Sequence, residues 1–412
     1  MKNFCCIACI ACNATQAADY AGFLCPSCGG NLDIRYDYDA INADFGDSAG
    51  IFRYAALLPV SEPGASLPLK VGGTPLYAAA RLGESVGLGN LYLKDETGNP
   101  SASIKDRASA VALQRAVDTG ADTIAVASTG NAGSSTACLA AAMGLRAVVF
   151  VPENAPVAKL TQSLAYGATV LAVRGNYDDA YDLCLRASQE FGWYNRSTGF
   201  NPFTREGKKT CSFEIWEQLG RVPDRVIVPT GDGNILSGIW KGWCDLRAAG
   251  LIDRVPRVDC AQSDASAAIS LAVERLRASA AEPDWQSFVL EGVAANTVAD
   301  SISVDRPRDG LAAVKAVIES GGAAVSVPDN EILDAIRDVA CKSGIFAEPA
   351  AAASWAAAKH MVREKKIGAD DVVVCLMTGS GLKDIANARS VAGKPRTIDP
   401  TLADVRKSID HE

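Results

Sequence analysis

At 412 residues, 48% hydrophobic and 21% charged, the chain is long enough for about two or three domains with their own cores. Its formal net charge of −8 excludes a nucleic-acid binder, which needs a basic surface, and no apolar run is long enough to span a bilayer. Only His360 and His411 are present, which weighs against a Ser-His-Asp triad or a two-histidine zinc centre.

Met1-Lys2-Asn3-Phe4 opens into a Cys-rich run with neither a long apolar core nor a cleavage-like site, so a cytoplasmic protein is expected. Cys9-x2-Cys12 and Cys25-x2-Cys28 are two knuckles whose thiolates can close a tetrahedral ribbon around structural zinc. A ribbon that has lost its metal would look the same, and Cys6 with Cys9 is a competing pair. In either case residues 1–40 read as a structural appendix, because four cysteine ligands leave no open position for catalysis. Cys138, Cys184, Cys211, Cys244, Cys260, Cys341 and Cys375 lie in apolar segments and read as reduced core residues.

Residues 36–69, with Pro59, Pro63, Gly64 and Pro68 near the end, form a connecting segment expected to pack over the main body. Gly72-Gly73-Thr74-Pro75-Leu76 is a turn leading into a short helix. Leu91 to Glu96 then alternates as a strand does, Gly98-Asn99-Pro100 breaks it, and helical spacing runs from Lys105 to Gly120, with Ser103 and Asp106 fitting a capping box. Lys105 thus falls in a first helical turn, where the positive end of the helix dipole favours a neutral, nucleophilic amine. Taken alone, such a lysine is also compatible with a solvated helix start.

From Thr123 onward, apolar runs 123–127, 147–151 and 169–173 alternate with helices 131–143, 157–166 and 178–191. A second series places helices at 210–219, 235–248, 330–341 and 349–359, with strands at 226–229, 257–260 and 372–376. The alternation predicts two α/β blocks with parallel sheets, and ligands in such folds sit at the carboxyl ends of strands. Three loops leave such ends. Ser128-Thr129-Gly130-Asn131 opens a helix and suits a carboxylate, Gly231-Asp232-Gly233-Asn234-Ile235 suits a phosphate, and Thr378-Gly379-Ser380-Gly381 offers hydroxyls. Any one of them could be a tight reversal; three beside a first-turn lysine point to a site.

With these pieces assembled, the chain resembles the threonine synthase family of fold-type-II pyridoxal-phosphate enzymes, from its paired Cys knuckles to Thr378-Gly-Ser-Gly-Leu-Lys-Asp384. The match at Asn99-Pro100-Ser101-Ala102-Ser103-Ile104-Lys105-Asp106-Arg107 implies that Lys105 forms the Schiff base with the cofactor. The resemblance further implies that Asn131 bonds the cofactor's ring hydroxyl and Thr378 its ring nitrogen, that Gly231 to Ile235 hold its phosphate, and that Ser128, Thr129 and Gly130 bind the substrate carboxylate. Glu348 to Ser354 looks like another family segment. Asn195, Arg196 and Ser197 lie in a stretch that resembles the family's substrate-phosphate segment, where the family's arginine aligns with Thr204 and Arg205 is displaced by one. Ile104 stands where the family has Phe, Ser101-Ala102 where it has Thr-Gly and Ala108 where it has Gly, and the lysine segment also looks like that of cysteine synthase.

The expected architecture is therefore a Cys-rich ribbon (1–40), a large cofactor-binding α/β domain (41–104 and 206–412) and a smaller α/β domain (105–205). The expected activity is conversion of O-phospho-L-homoserine and water to L-threonine and phosphate by a pyridoxal 5'-phosphate lyase, with Arg205 reaching the substrate phosphate if the loop shifts by one residue. The rival is β-replacement or β-elimination on an O-phosphoserine-type substrate. Asp232 is expected to turn its side chain away so that the loop backbone alone holds the cofactor phosphate. A small phosphorylated amino acid, no nucleic acid, no membrane and a homodimer complete the expectation.

Overall fold

The computed structural model describes residues 3–41, 45–46, 50–61, 67–279 and 282–409; Pro63 and Gly64 lie outside them. Phe4–Cys9 (β1), Thr15–Ala17 (β2) and Leu32–Tyr36 (β3) pair antiparallel in the order β2-β1-β3. Ile7, Leu32 and Ile34 on this sheet are buried because they join one hydrophobic core with Phe203, Phe213 and Ile235. The ribbon is thus built into the main body, unlike the appendix expected from its spacing. The following segment also packs down, with Tyr38 Oη donating to Asp245 at 2.7 Å and the Phe45 ring stacked on Phe213.

Leu76–Ala78 (β4), Ala80–Glu84 (α1), Asn90–Asp95 (β5) and Lys105–Asp118 (α2) come next. Before the predicted short helix, β4 pairs antiparallel with β5 and supplies the sheet's edge. Thr123–Ala127 (β6), Asn131–Met143 (α3), Arg146–Pro152 (β7), Val157–Ala165 (α4), Thr169–Val173 (β8), Tyr177–Phe191 (α5) and Tyr194–Asn195 (β9) then build a parallel sheet ordered β8-β7-β6-β9. These limits follow the predicted alternation closely: β6 and β7, buried on both faces, read as unbroken apolar runs, whereas the apolar run of β8 lies at the sheet's edge and is mostly exposed.

Phe203–Leu219 (α6) begins seven residues before the predicted 210. Its first turns carry Arg205, Glu206, Lys208 and Lys209, all buried, so the charge pattern imitates a solvated loop. Gly207 lies inside this helix because α2 passes against it: a Cβ there would sit 1.8 Å from the Arg107 carbonyl oxygen.

Arg225–Pro229 (β10), Asn234–Ala248 (α7), Arg257–Ser263 (β11), Ala268–Ala278 (α8), Gly310–Ser320 (α9), Ala324–Val327 (β12), Asp329–Ser343 (α10), Pro349–Arg363 (α11) and Val372–Met377 (β13) complete the framework. Their strands and β4–β5 form a six-stranded sheet ordered β12-β11-β10-β13-β5-β4, parallel except at β4. Of the cysteines expected in the core, Cys341 is exposed and Cys244 half-buried; the other five are buried. No helix among the described residues is long and apolar enough to cross a membrane.

The sheet order places the site. Adjacent parallel strands β10, β13 and β5 send the loop at Gly231, Thr378 and the lysine segment from the same end. In the smaller sheet the neighbours β6 and β9 emit Ser128–Gly130 and Arg196 in the same way.

Candidate functional site

Lys105 is held by backbone bonds to the loop after β13. Ile104 N donates to the Thr378 carbonyl at 2.9 Å, Ser380 N donates to Ala102 O at 3.1 Å, and Ser103 bridges Gly379. The predicted capping box does not form: Asp106 instead accepts from Ser101 N at 2.6 Å and Ser101 Oγ at 2.5 Å. Ser103 Oγ is buried with no hydrogen-bond partner among the described residues, two residues from the Lys105 amine. Ala102 takes a φ of 63°, a left-handed conformation that costs a residue with a Cβ roughly 1–2 kcal/mol and suits the glycine of the related segments. Burial lowers the pKa of the Lys105 ammonium against the pull of Asp232 and Glu348, and Arg196 adds to the lowering.

Against Ala102 of the lysine segment lies a cavity of about 420 Å³, of a size that suits a small-molecule ligand, though Lys105 itself is not on its wall. Gly130, Asn131, Ser301, Glu348 and Lys383 are on its wall. Asn131 opens α3 and donates through Nδ2 to both Glu348 carboxylate oxygens at 3.0 Å. Burial raises the Glu348 carboxyl above its ordinary range, opposed by Asn131, Lys105 and Lys383. Gly379 is needed where it stands, since a Cβ would come within 2.5 Å of Glu348 Oε1. Ser128 Oγ accepts from Gly130 N at 3.2 Å, which shapes the turn into α3.

The loop after β10 departs from expectation at Asp232. Its carboxylate turns inward and accepts from Asn234 N at 3.1 Å, at the start of α7. Burial lowers the pKa values of Lys105, Arg196 and Lys208, with the charge of Lys105 adding to the lowering at Lys208, and Asp232 is the main raising influence on all three. These cations therefore surround a single loop carboxylate.

Two of the cations are fully buried, Arg196 and Lys208, and neither has a carboxylate partner among the described residues. Arg196 donates to Ser109 Oγ at 3.1 Å, Thr198 Oγ1 at 3.0 Å and the Lys105 carbonyl at 3.4 Å, and burial lowers its pKa to about 10. Lys208 donates to Asn234 Oδ1, and burial holds its ammonium well below the ordinary lysine range. Asn195 and Ser197 are engaged locally: Asn195 Nδ2 donates to Ser188 Oγ at 3.0 Å, and Ser197 Oγ accepts from Ala127 N at 3.3 Å.

Arg205 is the main correction to the expected substrate set. It pairs with Asp309, lies 3.4 Å from Asp33 and donates to Leu32 O at 3.0 Å and Ser237 Oγ at 3.1 Å, so its fork is filled. It joins the ribbon to α7 in place of facing a ligand. A second filled network surrounds Arg107, which binds Glu96 at 2.7 Å and Glu214 at 2.6 Å, with Lys94 on Glu214 at 2.7 Å.

The sulfurs of Cys9, Cys12, Cys25 and Cys28 lie within 4.8 Å of one another. The contacts Cys9–Cys28 at 3.5 Å, Cys12–Cys28 at 3.5 Å and Cys12–Cys25 at 3.7 Å approach the roughly 3.8 Å edge of a tetrahedron with zinc–sulfur bonds of about 2.3 Å. Lys208, Ser301 and Lys383 were not singled out from sequence, and Ser103 only as a helix cap. Only Lys208 carried a signal, as half of a lysine pair inside a stretch bounded by Phe203 and Phe213.

A family model described as "Pyridoxal-phosphate dependent enzyme" matches residues 67–379. The threonine synthase of Methanocaldococcus jannaschii is 38% identical over 380 residues, covering 90% of this chain and 91% of that protein. That of Methanosarcina acetivorans is 37% identical and covers 94% of each. Among solved structures, the processed form of threonine deaminase isoform 2 from Solanum lycopersicum superposes with a TM-score of 0.63 at 20% identity over 82% of each chain. Maize serine racemase gives a TM-score of 0.64 at 19% identity over 82% of this chain and 92% of that one. These two share the fold.

Proposed function

The chain belongs to the pyridoxal-phosphate dependent enzyme family, in the company of threonine synthases, and from that premise we propose that it converts O-phospho-L-homoserine and water to L-threonine and phosphate. The observation that carries this reading is the 38% identity to a threonine synthase across 90% of the chain. Pyridoxal phosphate, when bound, supplies the electron sink for the chemistry at the substrate's α- and β-carbons.

The residues present fit that cofactor. A partly desolvated amine, an orphaned hydroxyl on Ser103, two helix N-termini and a glycine loop are the donor set it needs. In this reading Lys105 holds the cofactor and moves protons at the substrate's α- and β-carbons. The amides of Gly231 to Ile235 take the cofactor phosphate, which requires Asp232 to release Asn234 N. Asn131 faces the ring hydroxyl, with Glu348 orienting its amide. Thr378 meets the ring nitrogen, where a hydroxyl, unlike a carboxylate, does not keep that nitrogen protonated. Ser128, Thr129 and Gly130 take the substrate carboxylate, and Arg196, placed by Asn195 and Ser197, faces the substrate phosphate.

β-Replacement on an O-phosphoserine-type substrate is the second reading, favoured by the full occupation of Arg205. Assays of both substrates separate them. Threonine and phosphate from phosphohomoserine support the first reading; phosphate released only from phosphoserine, with added sulfite or sulfide, sinks it. The Cys9, Cys12, Cys25 and Cys28 cluster is proposed to hold one structural zinc, which metal analysis of the purified chain tests. A homodimer is proposed as well, with sedimentation as its check.

A further inference from the structure

We infer that Lys208 and Arg196 together form a phosphate-dianion site beside Lys105, and that Lys208 is the cation of α6 that recognises a phosphorylated substrate. This deepens the reading above and rests on it for the substrate.

The argument begins with the buried cations of α6. Lys209 is paired with Glu206 and, at 2.7 Å, with Asp245; Arg205 is paired with Asp309 and Asp33. Lys208 is equally buried and, among the described residues, hydrogen-bonds only the neutral Asn234 Oδ1. An ammonium carries three N–H donors, and one amide oxygen compensates neither the remaining donors nor the charge. Arg196, on a different element, repeats the pattern with only hydroxyl and carbonyl acceptors. Two independent buried cations with no ion pair among the described residues, close enough to act on each other and on Lys105 and sharing with it the Asp232 carboxylate, leave an excess of positive charge that a phosphate would offset.

Helical phase explains why Lys208, and not Arg205, takes this place. Thr204 and Lys208 are four residues apart, hence on one face, and both donate to Asn234 Oδ1, Thr204 at 3.4 Å. Asn234 opens α7, and its own amide is turned to Asp309 at 2.9 Å. That face of α6 therefore meets the loop at Gly231–Gly233. Arg205, one residue on, is rotated about 100° to the ribbon side. Charge on the ligand-facing side is supplied one turn later, from a shorter side chain.

A phosphate there could belong to the substrate or to the cofactor, and the experiment separates them. Inorganic phosphate binding to the cofactor-loaded protein is measured by calorimetry in the wild type, Lys208→Gln and Lys208→Arg, alongside cofactor content and steady-state kinetics. We expect Lys208→Gln to weaken phosphate binding and raise KM for the phosphorylated amino acid at least about tenfold, the effect of one lost charged hydrogen bond, with cofactor content unchanged. Lys208→Arg should keep most of the binding, and it carries the test if Lys208→Gln does not fold. Unchanged phosphate binding in Lys208→Gln, or loss of it in Lys208→Arg, overturns the site. Loss of cofactor from Lys208→Gln assigns the lysine to the cofactor phosphate and overturns the substrate role. If phosphate binding depends on Lys208 while no phosphorylated amino acid is turned over, the site stands and the reaction reading fails.

Discussion

Around Arg107 every buried charge has its opposite: Glu96 and Glu214 face Arg107, and Lys94 completes the set on Glu214. Around Lys105, two residues earlier on the same helix, Arg196 and Lys208 are as deeply buried but form no ion pair among the described residues and share the Asp232 carboxylate with the lysine. Arg196 and Lys208 are buried as completely as Arg107 and Lys94, so burial alone does not distinguish scaffold from site. What distinguishes them is the balance. A closed set of charges holds β5, α2 and α6 in place, whereas an open set keeps its attraction for an incoming anion.

The comparison can be broken at either cluster. The largest effect is expected at the amine proposed to hold the cofactor: Lys105→Ala should lose activity to background and retain no borohydride-fixable cofactor, while circular dichroism shows the fold intact. A variant that still fixes cofactor would remove Lys105 from its role. Next comes the closed cluster. Glu214→Ala strands Arg107 and Lys94 without their shared partner, and denaturant unfolding should show a loss of about 3–5 kcal/mol. Arg196→Ala should do the reverse, leaving unfolding nearly unchanged while KM for the phosphorylated substrate rises at least about tenfold, equivalent to roughly 1.5–3 kcal/mol. Should Arg196→Ala unfold the protein and Glu214→Ala only alter KM, the distinction between the clusters collapses.

The smallest effect concerns pH. Burial is the main cause raising the Glu348 carboxyl, so the folded chain keeps a proton that the unfolded chain has already released. Stability contributed by this group is therefore present below the unfolded carboxyl range and is lost as pH rises through it towards the folded value. Glu348→Gln should flatten that fall in a series of thermal midpoints taken across the acidic range. An identical pH profile in the variant would show that Glu348 does not titrate differently on folding.

Much of this was legible in the chain itself. The alternation from Thr123 to Phe191 and the position of Lys105 at a helix start are local patterns, set by residues within a turn or two of one another. The four cysteines were readable for the same reason, because two short spacings determine which sulfurs can approach. The start of α6 was not, since its buried charges look identical in sequence to solvated ones. Neither was the fate of Arg205. Its partners Asp33 and Asp309 are distant in the chain, and a shift of one residue that seems conservative along a sequence turns a side chain by about 100° on a helix. Local chemistry determined the elements and the place of Lys105 at a helix start. Only the packing of α6 against α2, α7 and the ribbon decided which buried cations were neutralised and which remained open, because pairing depends on distance in space and the sequence records only order.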